Sequence, residues 1–374
     1  MTHDDKSYRY HSRAGFLGSR HYLVAMILVV LATTSLVAQR TVNIPPGYGT
    51  INNTVLGDTT QTGARVDTNT IYVLQRGGEY ILNAELGHRF PLTMVASEGT
   101  GPRPRIIIGV SGGGVSPEQT LRPRANLTIR GLYITAVDDL NRLNIRVIRI
   151  SENGIRVVVE DCHIDRASQA GFRIDNPNAR IFFRNSIISN IGTMASPDNG
   201  RGFDDRGVDI DTLVIENSTF YNLTSRVIRD GGGLIRYAKM NHNTIANIAQ
   251  FGTSFGPVIE AYFTNNLVVN GAVLGNAPGV SRSVIQVDTM ANGTTVRIVI
   301  KNNNIYRDPA VTQVYADSVK PCPDYNGTAL LFIQRGGAWC NERYRVPCVH
   351  QGSGCSLERG PGILHESRGK YSSP

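Results

Sequence analysis

One phrase of apolar and polar positions recurs between Ala125 and Asn304: apolar, polar, Asn-like, variable, polar, apolar. It appears as Ile129-Arg130-Gly131-Leu132-Tyr133-Ile134, again as Phe183-Arg184-Asn185-Ser186-Ile187-Ile188, and finally as Ile300-Lys301-Asn302-Asn303-Asn304-Ile305. The closing apolar residues fall at 134, 164, 188, 220, 245, 268 and 305, so successive phrases are 23 to 37 residues apart. The shorter intervals bound a minimal coil, and the longer ones are coils with loop insertions. Each phrase reads as a strand, a sharp turn and a second short strand. A single such coil cannot bury its own apolar face, so the coils must stack. The predicted fold is all-β, a right-handed single-stranded parallel β-helix.

The third position of the phrase reads Gly131, Asp161, Asn185, Asn217, His242, Asn265 and Asn302. Gly and Asn tolerate the left-handed backbone conformation that a sharp turn between strands demands. Stacked Asn side chains can also hydrogen-bond along the axis. A second ladder precedes each phrase: Val147-Ile148-Arg149-Ile150, Gly171-Phe172-Arg173-Ile174, Gly207-Val208-Asp209-Ile210, Val227-Ile228-Arg229-Asp230, Val258-Ile259-Glu260-Ala261 and Val284-Ile285-Gln286-Val287. Period-two alternation turns its third residue outward.

The coil pattern is expected over residues 71–319, beginning at Ile71, with residues 39–70 as an N-terminal cap over the open end. Residues 1–38 read as an export signal: Lys6, Arg9, Arg13 and Arg20 precede an apolar core from Tyr22 to Ala32, with small residues near Ala38. That core is about half the ~20 residues that span a bilayer. Removal is therefore favoured over anchoring, the rival reading resting on the long basic start. Location is expected to be secreted or at the cell surface, with no membrane span after signal removal. Over residues 320–374 the pattern is lost, and Cys322, Cys340, Cys348 and Cys355 gather there. This tail reads either as a disulfide-stabilised cap with three pairings or as a segment of uncertain order. Cys-x-x-Cys spacing is absent, which disfavours zinc.

Hydrophobic residues make up 41% and charged ones 18%, enough apolar content for a core. The formal charge is +8, yet no Lys/Arg block stands out. Nucleic acid is therefore excluded as a partner, while a mildly basic surface suits an acidic glycan.

The repeated phrases and Gly77-Gly78-Glu79-Tyr80-Ile81-Leu82 resemble the pectate-lyase-like superfamily of right-handed β-helices. Thr212 to Asn217, Arg229-Asp230-Gly231-Gly232-Gly233 and Asn241-His242-Asn243-Thr244-Ile245 look like β-helix proteins secreted by Bacteroidota. The resemblance implies export and glycan use. The motifs of polygalacturonase-type hydrolases are not matched: after the N-terminal Asp4-Asp5, Asp138-Asp139 and Asp204-Asp205 are the only Asp pairs, and the Gly-His-Gly and Arg-Ile-Lys elements are missing. Alginate and chondroitin lyases of this fold are more distantly similar, which implies β-elimination: a Lys takes the proton α to a uronate carboxylate while an Arg assists. Arg229 resembles that Arg. The family's Lys would lie one coil earlier, where Arg206 to Asp211 holds none, and Lys239 is the only lysine nearby.

These readings converge on an acidic polysaccharide as the partner of a monomer. The candidate catalytic residues are Arg229 and Lys239. The candidate substrate-binding residues are Arg149, Arg173, Arg184, Glu260 and Tyr262, since arginines hold carboxylates and tyrosines stack on sugar rings. Asp204, Asp205, Asp209 and Asp211 could hold Ca2+, the one candidate cofactor, although a plain acidic loop explains them as well. The competing functional class is a non-catalytic protein that binds glycan or another protein along the rod. The competing structural reading of the charged stripes is a solvated face that prevents edge association.

Overall fold

In the computed structural model of the chain, the described residues are 39–110, 113–273, 283–288, 296–306, 308 and 310, together with the strands Leu331–Arg335, Ala338–Glu342 and Cys355–Leu357. The chain divides into two compact units, Met1–Arg40 and Thr41–Pro374; only the second is described in detail. The expected export signal lies outside the described residues, as do Cys322 and Cys348.

Three ladders of parallel strands make up the described part of the second unit, which is a right-handed parallel β-helix. Sheet 1 climbs from Thr41–Ile44 through strands such as Arg156–Glu160, Ala179–Arg184, Ile210–Glu216, Ile235–Asn241 and Val258–Thr264 to Arg297–Tyr306. Sheet 2 climbs beside it through Arg105–Ile108, Tyr133–Asp138, His163–Ala167, Ile187–Ile191, Thr219–Leu223 and Thr244–Ile248. Sheet 3 takes the remaining side, through Leu86–His88, Gln119–Pro123, Arg146–Ile150, Ala170–Ile174, Arg201–Asp204 and Arg226–Arg229. It continues by a Val227 amide to Gly252 carbonyl bond of 3.0 Å into Thr253–Phe255, Ile285–Asp288 and Leu331–Arg335. Antiparallel pairing occurs where Ala338–Glu342 and Cys355–Leu357 join the last strands.

The phrase register is the register of the coils. Ile129, Val159, Phe183, Ile215, Met240, Phe263 and Ile300 align in sheet 1. The closing residues Ile134, Ile164, Ile188, Phe220, Ile245, Val268 and Ile305 align in sheet 2. Most of these are fully buried, and Phe172, Phe183, Phe203 and Phe220 pack ring to ring inside the coils. Between the two sheets the third-position residues adopt positive φ, from 49° at Asn185 to 72° at Gly131. The residue after each turn carries the axial hydrogen bonds. Ser186, Ser218, Asn243, Asn266 and Asn303 each accept, through the side-chain oxygen, the backbone N–H one coil below at 2.9–3.2 Å.

Two of the expected second-ladder segments are misplaced. Arg201–Asp204, and not Gly207 to Ile210, supplies the sheet 3 strand of its coil, and Ile210 already begins sheet 1. Thr253–Phe255 supplies the strand that follows Arg226–Arg229, while Val258–Thr264 belongs to sheet 1. The coil stack also starts before Ile71: Thr41–Ile44 and Gly47–Tyr48 open sheets 1 and 2, and the helix α1, Thr50–Gly57, buries Ile51, Asn52 and Val55 against the first coil.

Candidate functional site

Sheet 3 brings arginines from successive coils into line. Arg149, Arg173, Asp204 and Arg229 occupy one register row, which Arg122 continues because Ile148 pairs with Leu121. A second row at the start of the same strands holds Arg146, Arg201 and Arg226. Parallel pairing dictates this: identical positions of neighbouring coils sit about 4.8 Å apart, so charge repeated in sequence becomes charge stacked in space.

Carboxylates bind the arginines in pairs. Asp175 accepts from Nε of both Arg149 and Arg173, the latter at 2.6 Å. Asp204 accepts from Arg201 Nη1 at 2.8 Å and from Arg229 Nη1 at 3.0 Å. Burial would raise the Asp175 carboxyl, but the two guanidiniums more than reverse this and hold it below the usual range. The cations crowd one another. Arg226 is pushed down to about 10, first by burial and then by Arg201 and Arg229. Arg146 is lowered by burial and then by Arg173. Arg146 and Arg201 are 4% and 9% exposed, and the Nε–H of each is buried without an acceptor among the described residues. A buried donor left unpaired costs about 1–3 kcal/mol.

The expected catalytic pair is not assembled. Arg229 lies on sheet 3, whereas Lys239 stands on sheet 1, where its Nζ is 2.6 Å from Glu216 Oε1. Arg184 Nε donates to the other oxygen of Glu216 at 3.0 Å. Burial raises Glu216, and the bonds from Lys239 and Arg184 outweigh it, leaving the carboxyl ionised and the lysine committed. The expected substrate-binding residues divide in the same way. Arg149 and Arg173 lie on sheet 3; Arg184, Glu260 and Tyr262 lie on sheet 1. There Tyr262 donates to Glu260, which Arg297 also reaches at 3.3 Å. Sheet 1 also presents Phe182 between the guanidiniums of Arg156 and Arg184, 4.7 and 5.1 Å from its ring centre.

The proposed cation ligands scatter. Asp204 is bound by two arginines; Asp209 accepts from the Leu234 amide at 3.0 Å and Arg236 at 3.4 Å. Asp211 accepts from the Thr212 hydroxyl on sheet 1. Asp205 is buried and accepts from the amides of Gly207 at 3.0 Å and Gly231 at 2.6 Å. Among the described residues no three His, Cys, Asp or Glu side chains gather as a metal site. Among the described residues these carboxylates serve arginines and turns. His242 takes a turn conformation, φ 55°, and His163 Nε2 lies 2.7 Å from Ser189 Oγ in a buried network with Asp165.

Asp175, Arg201, Arg226 and Asp230 were not singled out from sequence. The signal was available: Gly171-Phe172-Arg173 and Gly202-Phe203-Asp204 share a Gly-Phe step that fixes the true register.

No protein-family model matches the chain, and no curated protein matches it. Solved structures with a similar fold include the PL6 family alginate lyase AlyGC, with TM-score 0.43 and 17% identity over 72% of this chain. The chain spans 40% of the length of that lyase. Another is the alginate lyase from Paenibacillus sp. str. FPU-7, with TM-score 0.38 and 14% identity, covering 72% of this chain and 99% of that one. The fold of the described residues is a right-handed parallel β-helix.

Proposed function

We propose that this chain is an extracytoplasmic acidic-polysaccharide-binding β-helix whose binding surface is the arginine face of sheet 3. The observation that carries the reading is the register row Arg122–Arg149–Arg173–Asp204–Arg229, backed by the buried Arg146 and Arg201. Guanidiniums on successive coils match a polymer that repeats its carboxylate, to which a free guanidinium edge donates in bidentate fashion. Arg149 and Arg173 spend Nε on Asp175, and the Arg173 guanidinium makes no further hydrogen bond among the described residues, which leaves its Nη edge for a ligand. Binding is favoured over lysine-based β-elimination because Lys239 is tied to Glu216 on another sheet.

The test is calorimetric titration with alginate, polygalacturonate, chondroitin sulfate and a neutral glucan. Binding of one or more acidic polymers, lost or weakened at least tenfold in Arg149→Ala/Arg173→Ala, is the expected result. Equal binding by parent and double variant would remove the arginine face from the reading. An ultraviolet-absorbing unsaturated product would show elimination and replace the binding-only class with a lyase.

A further inference from the structure

On the outer side of sheet 1, two rows of charged residues behave differently. The row at the strand ends alternates in sign from coil to coil, Arg130, Glu160, Arg184 and Glu216. It neutralises itself, with Arg130 2.8 Å from Glu160 and Arg184 3.0 Å from Glu216. The row at the strand starts repeats its sign. Arg156 and Arg180 are Cα partners on neighbouring coils, and the next members of the row, Thr212 and Tyr237, carry no charge. Like charges directly opposite each other on a sheet are destabilising. Two other arginines of this sheet, Arg236 and Arg297, reach Asp209 at 3.4 Å and Glu260 at 3.3 Å. Arg156 and Arg180 are exposed, and neither guanidinium has a carboxylate partner or a hydrogen bond among the described residues. Asp211, beside Thr212, falls at the register shift between Ala179 and Arg180 and accepts from the Thr212 hydroxyl at 3.2 Å.

Sheet 3 shows what such a pair of arginines holds. Arg149 and Arg173 stand in the same relation, Cα partners on neighbouring coils, and both donate through Nε to the one carboxylate of Asp175. We propose that Arg156 and Arg180 form a second carboxylate site, on sheet 1, whose carboxylate is supplied by an acidic glycan, so that one molecule bridges two polymer chains. The inference rests on the binding reading above for its class of ligand. Phe182 braces the site. Its ring centre is 4.7 Å from the guanidinium carbon of Arg156 and 5.1 Å from that of Arg184. The cation–π contact thus holds Arg156 in place before a ligand arrives, and less side-chain freedom is lost on binding. Val158, the Cα partner of Phe182, is half-buried and gives the C–H face of a sugar ring an apolar floor beside the two guanidiniums.

The experiment is calorimetric titration of the full chain with trigalacturonate and with an alginate trisaccharide. The expected result is two oligomers bound per chain, one of them lost in Arg156→Ala/Arg180→Ala and the other in Arg149→Ala/Arg173→Ala. With the long polymers, polygalacturonate and alginate, the parent should raise light scattering by joining chains, and neither double variant should do so. Arg156 and Arg180 are exposed and repel each other, so their double variant should unfold at the parent's denaturant midpoint or above it. That measurement separates a lost site from a lost fold. One oligomer per chain, bound unchanged by Arg156→Ala/Arg180→Ala, overturns the second site and leaves the arginine face of sheet 3 standing. One oligomer per chain, weakened about tenfold by either double substitution, means a single glycan wrapping the edge between the sheets and likewise overturns the second site. Binding that survives Arg149→Ala/Arg173→Ala but not Arg156→Ala/Arg180→Ala supports the sheet 1 site and overturns the sheet 3 reading. Absence of binding by every probe overturns both.

Discussion

Two buried polar side chains show how single residues set the stability of the coils. Asn266 is 2% exposed; it accepts from the Asn243 amide and side chain and donates to the Met240 carbonyl at 3.0 Å. Asn266→Ala removes these bonds together and strands an N–H and a C=O in the core, each costing about 1–3 kcal/mol. A loss of about 3 kcal/mol in denaturant unfolding is expected, and a loss below about 1 kcal/mol would mean that water enters the ladder. His88 acts through protonation. Burial, which dominates, and Arg65 lower its ring to about 4 against the opposing bond to the Phe90 carbonyl. Above pH 6.5 the ring is neutral in both folded and unfolded chains. As pH falls from there toward 4, the unfolded chain binds a proton that the folded one refuses, so stability declines over that window. Each pH unit separating the folded from the unfolded titration is worth about 1.4 kcal/mol, so His88 should account for a decline of about 2–3 kcal/mol between pH 7.5 and 4.5. Comparing parent with His88→Gln at the two pH values isolates it, because the variant should lose less stability on acidification by that amount.

At the scale of strands and turns, the phrase register was legible because two constraints coincide there. The apolar positions must point into the coil, and the position between the strands must accept positive φ. Asn217, with φ 50°, stands for the whole row. Asn217→Gly should be neutral within about 0.5 kcal/mol, whereas Asn217→Ala should cost about 1 kcal/mol, the left-handed penalty of an ordinary side chain. Thermal or denaturant unfolding of the pair of variants checks the difference. A second left-handed row at the end of sheet 2, Arg166, Asn190, Asn222, Asn247 and Asn270, went unread. Its residues join by side-chain bonds such as Asn222 to Asn190 at 3.0 Å. The sheet 3 strands were harder to place than those of sheets 1 and 2 because the loops that lead into and out of them vary in length. In the coil containing Ser196 to Asp211, two segments each have strand-like alternation, and the earlier one forms the strand. That choice moved Asp204 into the arginine row and Asp209 out of it. In a later coil the earlier segment, Thr253–Phe255, likewise forms the strand, which leaves Glu260 on sheet 1. Lys239 was drawn into the candidate pair by its nearness to Arg229 in sequence, but in a helix of coils ten residues carry the chain from one sheet to the next.

The whole molecule converts that periodicity into a ruler. From Arg122 to Arg229 the sheet 3 row crosses five coils, roughly 20 Å at about 4.8 Å per coil. A polyuronate lying along the row meets a further guanidinium with each coil, except where Asp204 interrupts, and the two shared carboxylates, Asp175 and Asp204, keep the free protein from carrying the repulsion of bare arginines. Affinity should therefore rise with oligouronate length until the oligomer covers the row, and then level off, since no further arginine of this register extends beyond Arg229 among the described residues. Surface charge interactions fall off over a Debye length of about 10 Å at 0.1 M salt, so the gain per added sugar should shrink at higher ionic strength while the length at which it saturates stays fixed. Titration with a graded series of oligouronates at two salt concentrations separates a ruler from a diffuse positive surface. A diffuse surface would go on gaining affinity with length, without a plateau, and would lose most of it at high salt for every oligomer alike. The double variant Arg149→Ala/Arg173→Ala sharpens the comparison. It removes the middle of the row and leaves both ends, so long oligomers should bind it little better than short ones.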